Sequence, residues 1–311
     1  MRVLVVGAGA IGGYFGGRLA EAGRDVTFLV RPGRAAQLAK TGLVVRSPHG
    51  DIHLPNPVTV QAQDLAAPYD LVILSCKAYD LDNAIESFAP AVGPQTAILP
   101  LLNGMSHLDT LDRHFGSERV LGGQCVIGVT LDEEGRIIHL NETHGVTYGE
   151  RDGTTSERIE RIARAFDGAR FQARSSEVIP LEMWEKWVFL ASLASGTCLM
   201  RAAVGDIVAA PGGADFLLGL FDECRTIAEG EGHVPRGPFL ERSRKMLSAA
   251  GSPMTASMLR DVERGAPIEA DHVIGDLIRR GRERSPDTPR PKLATAYVNL
   301  KAYEARRARQ G

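Results

Sequence analysis

Four runs in the first hundred residues are apolar almost without interruption, at positions 3–6, 26–30, 71–75 and 96–100. Short continuous runs of this kind suit strands covered on both faces. Between them, positions 11–22, 34–40, 81–88 and 108–115 carry apolar residues at helical spacing. Strand and helix in alternation predict a doubly wound parallel sheet. Positions 43–46 and 52–54 flank Ser-Pro-His-Gly-Asp and predict a hairpin inserted in the connections of that sheet. Three further strand-like runs, 120–129, 137–140 and 146–148, surround a turn at 132–135. After Ser175 the pattern changes, and strand-like text almost disappears. Positions 183–200, 214–229, 238–249, 257–264, 269–282 and 290–309 all fit helices, with Gly and Pro clusters between them. The predicted organisation is an α/β domain over residues 1–177 followed by an all-helical domain over 178–311.

Composition narrows the function classes. The 36 Lys+Arg nearly balance 38 Asp+Glu, so charge gives no reason to expect nucleic acid or an anionic membrane as partner. A hydrophobic fraction of 44% with 24% charged residues is that of a folded globular chain. Cys76, Cys125, Cys198 and Cys224 are scattered, without a C-x-x-C pair or metal-ligand spacing, which predicts reduced thiols and no metal site. The first residues lack the features of a secretory signal, and the run at 188–200 is too short to span a bilayer. The expected location is cytoplasmic. Only six of the basic residues are lysine, at 40, 77, 186, 245, 292 and 301, which makes the position of each worth asking about.

Candidate chemistry begins at Gly7-Ala8-Gly9-Ala10-Ile11-Gly12, which follows the first strand directly and opens the first helix. The first glycine permits a tight turn, the second lets backbone approach a pyrophosphate, and the third allows close helix–sheet packing. The helix N-terminus adds N–H groups and partial positive charge. This context predicts a Rossmann-type dinucleotide site. At the end of the second strand stands Arg31, in Val30-Arg31-Pro32-Gly33-Arg34, where an NAD-preferring site carries a carboxylate. A guanidinium there suits the 2′-phosphate of NADP(H), with Arg34 as a second candidate.

Further along, Lys77 in Ser-Cys-Lys-Ala, Asn103 in Leu-Leu-Asn-Gly-Met, Lys186 in Trp-Glu-Lys, Ser257-Met258 and Glu269 occur in an order that resembles the ketopantoate reductases (2-dehydropantoate 2-reductases) along essentially the whole chain. The resemblance implies NADPH-dependent reduction of a small 2-oxo acid. It makes Lys186 the proton donor, a role for which a flexible ammonium that also steadies an alkoxide is chemically apt. It implies that Glu269 contacts cofactor and reacting group, Asn103 lies by nicotinamide and substrate, Ser257 bonds the substrate carboxylate, and Lys77 contacts cofactor. Each has a plainer reading: a snorkelling lysine, a carboxylate favoured by a helix dipole, an Asn-Gly turn, a serine cap, a surface lysine. Asp261 reads as a solvated or paired helix residue, and His107 as incidental.

Four positions depart from the family pattern. Asparagines expected one and two turns after the lysine are Leu190 and Ala194, and two others are Val204 and Met254. Ser192 and Ser195 do not restore the face, being six and nine residues past Lys186. The departures point to a more apolar 2-oxo acid, or an imine, as a second reading, and a non-catalytic NADPH-binding protein as a third. A homodimer is left open.

Overall fold

The computed structural model describes residues 1–310, and the chain divides into two compact units. The first comprises Met1–Leu102 and His107–Ile179, the second Asn103–Ser106 and Pro180–Gly311. The four residues Asn103–Ser106 therefore belong to the second unit although the chain on both sides of them belongs to the first.

The first unit begins with β1 (Arg2–Val6), α1 (Ala10–Glu21), β2 (Asp25–Leu29) and α2 (Pro32–Thr41). The chain continues through β3 (Leu43–Arg46), β4 (Ile52–Leu54), β5 (Thr59–Val60), β6 (Leu71–Leu74), α3 (Leu81–Phe88), β7 (Ala97–Pro100) and α4 (Ser106–Phe115). It closes with β8 (Gly122–Leu131), β9 (Ile137–Gly149), α5 (Glu157–Phe166) and β10 (Gln172–Ser175). One sheet runs β5-β2-β1-β6-β7, with each neighbouring pair parallel. Its central strands are sealed on both faces: Val3, Leu4, Val5 and Leu71–Leu74 are at most 1% exposed. Each such side chain contributes about 1.5–3 kcal/mol of burial. The strand order reverses direction between β1 and β6, which marks the C-terminal edge of those strands as the place for a ligand.

The second sheet bears out one expectation and corrects another. The hairpin β3–β4 lies in the connection between β2 and β5, with Leu43 opposite Leu54, and it pairs through β3 with β9. The runs at 137–140 and 146–148 are one strand, β9, which pairs with β8 on both sides of an irregularity where the exposed residues 140–143 have no register partner. Helix α1 lies between the two sheets, and its glycines make both approaches possible. A Cβ at Gly16 would stand 2.6 Å from the Phe28 ring on one side, and at Gly13 2.4 Å from Ile137 on the other.

The second unit is helical, as expected: α6 (Ile179–Met200), α7 (Val204–Ala209), α8 (Gly213–Gly230), α9 (Gly237–Leu247), α10 (Ser257–Glu263), α11 (Asp276–Arg284) and α12 (Pro291–Gln310). A single π-turn, Asp271–Gly275, leads into α11, with Asp276 N–H bonded to Asp271 O. All four cysteines are free thiols, and burial pushes Cys198 and Cys224 up to about 12. Among the described residues, no helix is long and apolar enough to cross a membrane.

Candidate active site

The glycine turn is built almost entirely from backbone. The chain leaves β1 into Gly7 at φ +89°, a conformation that a side chain would strain. The Gly7 N–H donates to Leu29 O at 2.9 Å, pinning the turn to the end of β2. Gly12 and Gly9 face different surroundings. A Cβ at Gly12 would stand 2.3 Å from Gly7 O and 2.4 Å from Ser75 Oγ, so the protein's own packing demands glycine. At Gly9 it would meet no protein atom within 4 Å. Gly9 is the N-cap of α1 and supplies no side chain to its first N–H groups, while Ala10 and Ile11 form its half-buried first turn. Open N–H groups at a helix N-terminus, beside a residue with room in front of it, fit a dinucleotide pyrophosphate.

Around this turn the two arginines behave differently. Arg31 is the N-cap of α2; its side chain is 68% exposed and donates to Asp80 at 2.9 Å and Asn83 at 3.2 Å. The Asp80 bond raises its already high pKa. Arg34, the second phosphate candidate, turns inward instead. Its Nε donates to Ala8 O at 2.9 Å, and Nη1 bonds Gly135 O and the Gln37 carboxamide. Burial lowers its pKa. Arg34 thus braces the carbonyl of the glycine turn, and Arg31 is the guanidinium offered to solvent beyond β2. Lys77 follows β6, next to β1 in the sheet, and leads half-buried into the turn Ala78–Asp80.

The remaining candidates lie in the second unit. In α6, Trp184, Glu185 and Trp187 are at most 4% exposed, while Lys186 between them is half-buried. Glu185 accepts from the Arg236 backbone N–H at 2.8 Å and from its guanidinium, and Trp184 stacks on His233. These contacts fix the turn of helix from which Lys186 projects. The Trp187 indole N–H donates to Val273 O at 2.7 Å, tying that turn to the π-turn Asp271–Gly275, which begins two residues after Glu269. Glu269 is half-buried, and its carbonyl accepts from Val273 N–H.

Sequence reasoning missed His272, which joins several of these groups. Its Nδ1 lies 2.7 Å from Ser106 Oγ. The ring also bonds the Asn103 backbone, and it lies close enough to Glu269 to feel its charge. A Cβ at Gly104 would stand 2.8 Å from His272 O and 3.0 Å from its Cδ2, and Gly104 has φ +75°. Burial lowers the His272 pKa; the Glu269 charge and the Asn103 bond partly oppose this. His272 therefore bonds the Asn103 backbone and lies within electrostatic reach of Glu269. The only sequence signal was a histidine three residues past Glu269.

Ser257 is exposed at the start of α10, but the cap position is Ala256, so the hydroxyl does not serve as a helix cap. The Ala256 N–H lies 3.4 Å from Thr197 Oγ1, linking α10 to α6. His107 is fully buried at the start of α4. Of the four departures from the family pattern, Ala194 and Val204 are sealed, at 4% and 0% exposure, whereas Leu190 and Met254 keep some surface. Ser192 and Ser195 are fully buried.

Comparison with known proteins covers both units. Residues 3–153 match the family described as ketopantoate reductase PanE/ApbA, and residues 178–304 match its C-terminal family. An uncharacterized oxidoreductase, YkpB, of Bacillus subtilis is 40% identical over 306 residues, covering 98% of this chain and 99% of that one. The crystal structure of 2-dehydropantoate 2-reductase from Geobacter metallireducens superposes with a TM-score of 0.88 at 28% identity, over 97% of this chain and 99% of that one. D-mandelate dehydrogenase with NADH and anilino(oxo)acetate shares the fold, with a TM-score of 0.87 at 18% identity over 99% of this chain and 100% of that one.

Proposed function

The chain is an oxidoreductase of the ketopantoate reductase family, and from that membership we propose that it reduces a small 2-oxo acid to the 2-hydroxy acid with NADPH, 2-dehydropantoate being the first candidate. The observation that carries the reading is the mounting of Lys186, which alone of residues 184–187 reaches the surface of a helix turn tied to the segment after Glu269.

Gly7, Ala8, Gly9, Ala10, Ile11 and Gly12 hold the pyrophosphate, Arg31 takes the 2′-phosphate, and Lys77 and Asn103 hold other parts of the cofactor. When bound, NADPH supplies hydride from C4 of its nicotinamide. Lys186 gives a proton from Nζ to the carbonyl oxygen as it becomes a hydroxyl, and its charge stabilises the developing alkoxide until then. Glu269 orients that hydroxyl and contacts cofactor. Ser257 and Asn103 hold the substrate.

The exposed surface at Leu190 and Met254 supports a second reading within the same chemistry, a 2-oxo acid with an apolar tail. A site that lacks amides gains nothing from a terminal hydroxyl. The test is nicotinamide oxidation, followed optically, across 2-dehydropantoate and 2-oxo acids with branched aliphatic and aromatic tails. NADPH should give a higher kcat/KM than NADH, and equal or better turnover with NADH would overturn the role of Arg31. Strong preference for 2-dehydropantoate would remove the second reading, and no turnover on any 2-oxo acid would remove both.

A further inference from the structure

His272 touches two groups of the segment Asn103–Ser106, although it lies 166 residues from Ser106 in sequence. The bond to the Asn103 backbone favours the protonated ring, so its partner is the carbonyl, because an amide N–H would do the opposite. With Nδ1 taken by Ser106, the nitrogen that donates to this carbonyl is Nε2. The Ser106 hydroxyl then donates to the unprotonated Nδ1. Gly104, between the two, packs on the ring with no room for a side chain.

The imidazole itself is held in place. It stands in the π-turn Asp271–Gly275, a form of helix often found at functional sites. Trp187 bonds the next carbonyl, that of Val273. Asp271, the preceding residue, accepts from Tyr297 Oη at 2.5 Å and pairs with Lys301 at 2.8 Å. The π-turn is thus anchored by α6 on one side of His272 and by α12 on the other. Lys301 is part of that anchor.

We propose that His272 is a positioning residue, whose Nε2–H holds the Asn103 carbonyl so that the Asn103 carboxamide and the Glu269 carboxylate are presented to the substrate in fixed register. The proposal rests on the reading of Asn103 and Glu269 given under Proposed function. Fixing a backbone carbonyl restrains the Cα–Cβ bond from which the side chain of the same residue departs, and small displacements of a positioned group cost large factors in rate.

The test compares three substitutions at one site. His272→Ala removes both bonds. His272→Gln can return an N–H to the place of Nε2, and His272→Asn a polar group only to the place of Nδ1. With a turned-over 2-oxo acid and saturating NADPH, His272→Ala should lower kcat about 30-fold. His272→Gln should recover most of the rate and His272→Asn little of it. Equal recovery by both, recovery by neither, or an alanine variant within twofold of the parent would overturn the proposal.

A second measurement needs no substrate. Amide hydrogen exchange in peptides spanning residues 102–107 should quicken in His272→Ala and return toward the parent rate in His272→Gln. Unchanged exchange in His272→Ala overturns the proposal whatever the rates. If the parent protein reduces no 2-oxo acid, the functional reading fails, and exchange still decides whether His272 holds the segment.

Discussion

The glycine turn and the Asn103–Glu269–His272 cluster both fix polar groups in place, and they do so with different materials. At the turn, the groups on offer are main-chain N–H groups within six consecutive residues, and what matters is where side chains are missing. In the cluster, the groups arrive from two distant stretches of chain, 103–106 and 269–272, and side chains lock one to the other, as Trp187 locks the turn that carries Lys186 to the second. Backbone sites tolerate no added atoms, whereas side-chain sites tolerate no lost ones. Substitutions can sharpen that contrast or break it.

The largest effect is expected at Lys186. Lys186→Ala should lower kcat about a thousandfold, the range of one general acid, with NADPH affinity unchanged in a fluorescence titration. An unchanged rate would move the chemistry away from the cluster. Next come the two glycines. Gly12→Ala forces a Cβ against Gly7 O and Ser75 Oγ, which should cost about 1–3 kcal/mol and lower Tm by about 5 °C. Gly9→Ala meets only open space, so Tm should hold within about 1 °C while the NADPH dissociation constant rises about tenfold. Loss of stability at Gly9, or its retention at Gly12, would break the distinction between a glycine required by the fold and one required by the ligand.

A smaller change is expected at Leu190. Leu190→Asn adds a bonding group, and should shift the kcat/KM ratio between 2-dehydropantoate and a branched aliphatic 2-oxo acid about tenfold toward the former. No shift would show that this position lies outside the substrate wall. The smallest effect lies in the first unit, far in kind from either site. Burial, assisted by His49, His139 and Arg18, lowers His144 to about 4 from an ordinary 6.5, and its Nδ1 lies 2.8 Å from Tyr14 Oη. Between those values the unfolded chain binds the extra proton, so stability is present above about 6.5 and is lost as pH falls toward 4. Thermal melts should show Tm falling over that window, and His144→Gln should flatten the slope by a few degrees at most.

The same contrast explains what could be read from sequence. The parallel sheet, the glycine turn and most of the helices follow from patterns within about twenty residues of one another. Helix α5 could have been read too, since Ser156 caps it and Ile159, Ile162 and Phe166 fall on one buried face. Strand β10 could not, because all four of its residues are exposed and it exists only by pairing with β9. Arg34 looked like a phosphate ligand because its partner, Ala8 O, lies 26 residues back in the chain. The π-turn gives no periodic sign, and the role of His272 depends on a glycine and a serine more than 160 residues away.

The excursion of Asn103–Ser106 into the helical unit bears on how such enzymes can be recombined. A chimera joined once, near residue 179, would combine the helical unit of one relative with the 103–106 segment of another. His272 would then meet a foreign loop, and Gly104 and Ser106 would have to suit it by chance. Exchanging substrate preference between relatives therefore calls for a double graft, with these four residues travelling alongside the helices, and a gene that inherits one without the other should lose rate before it loses its fold.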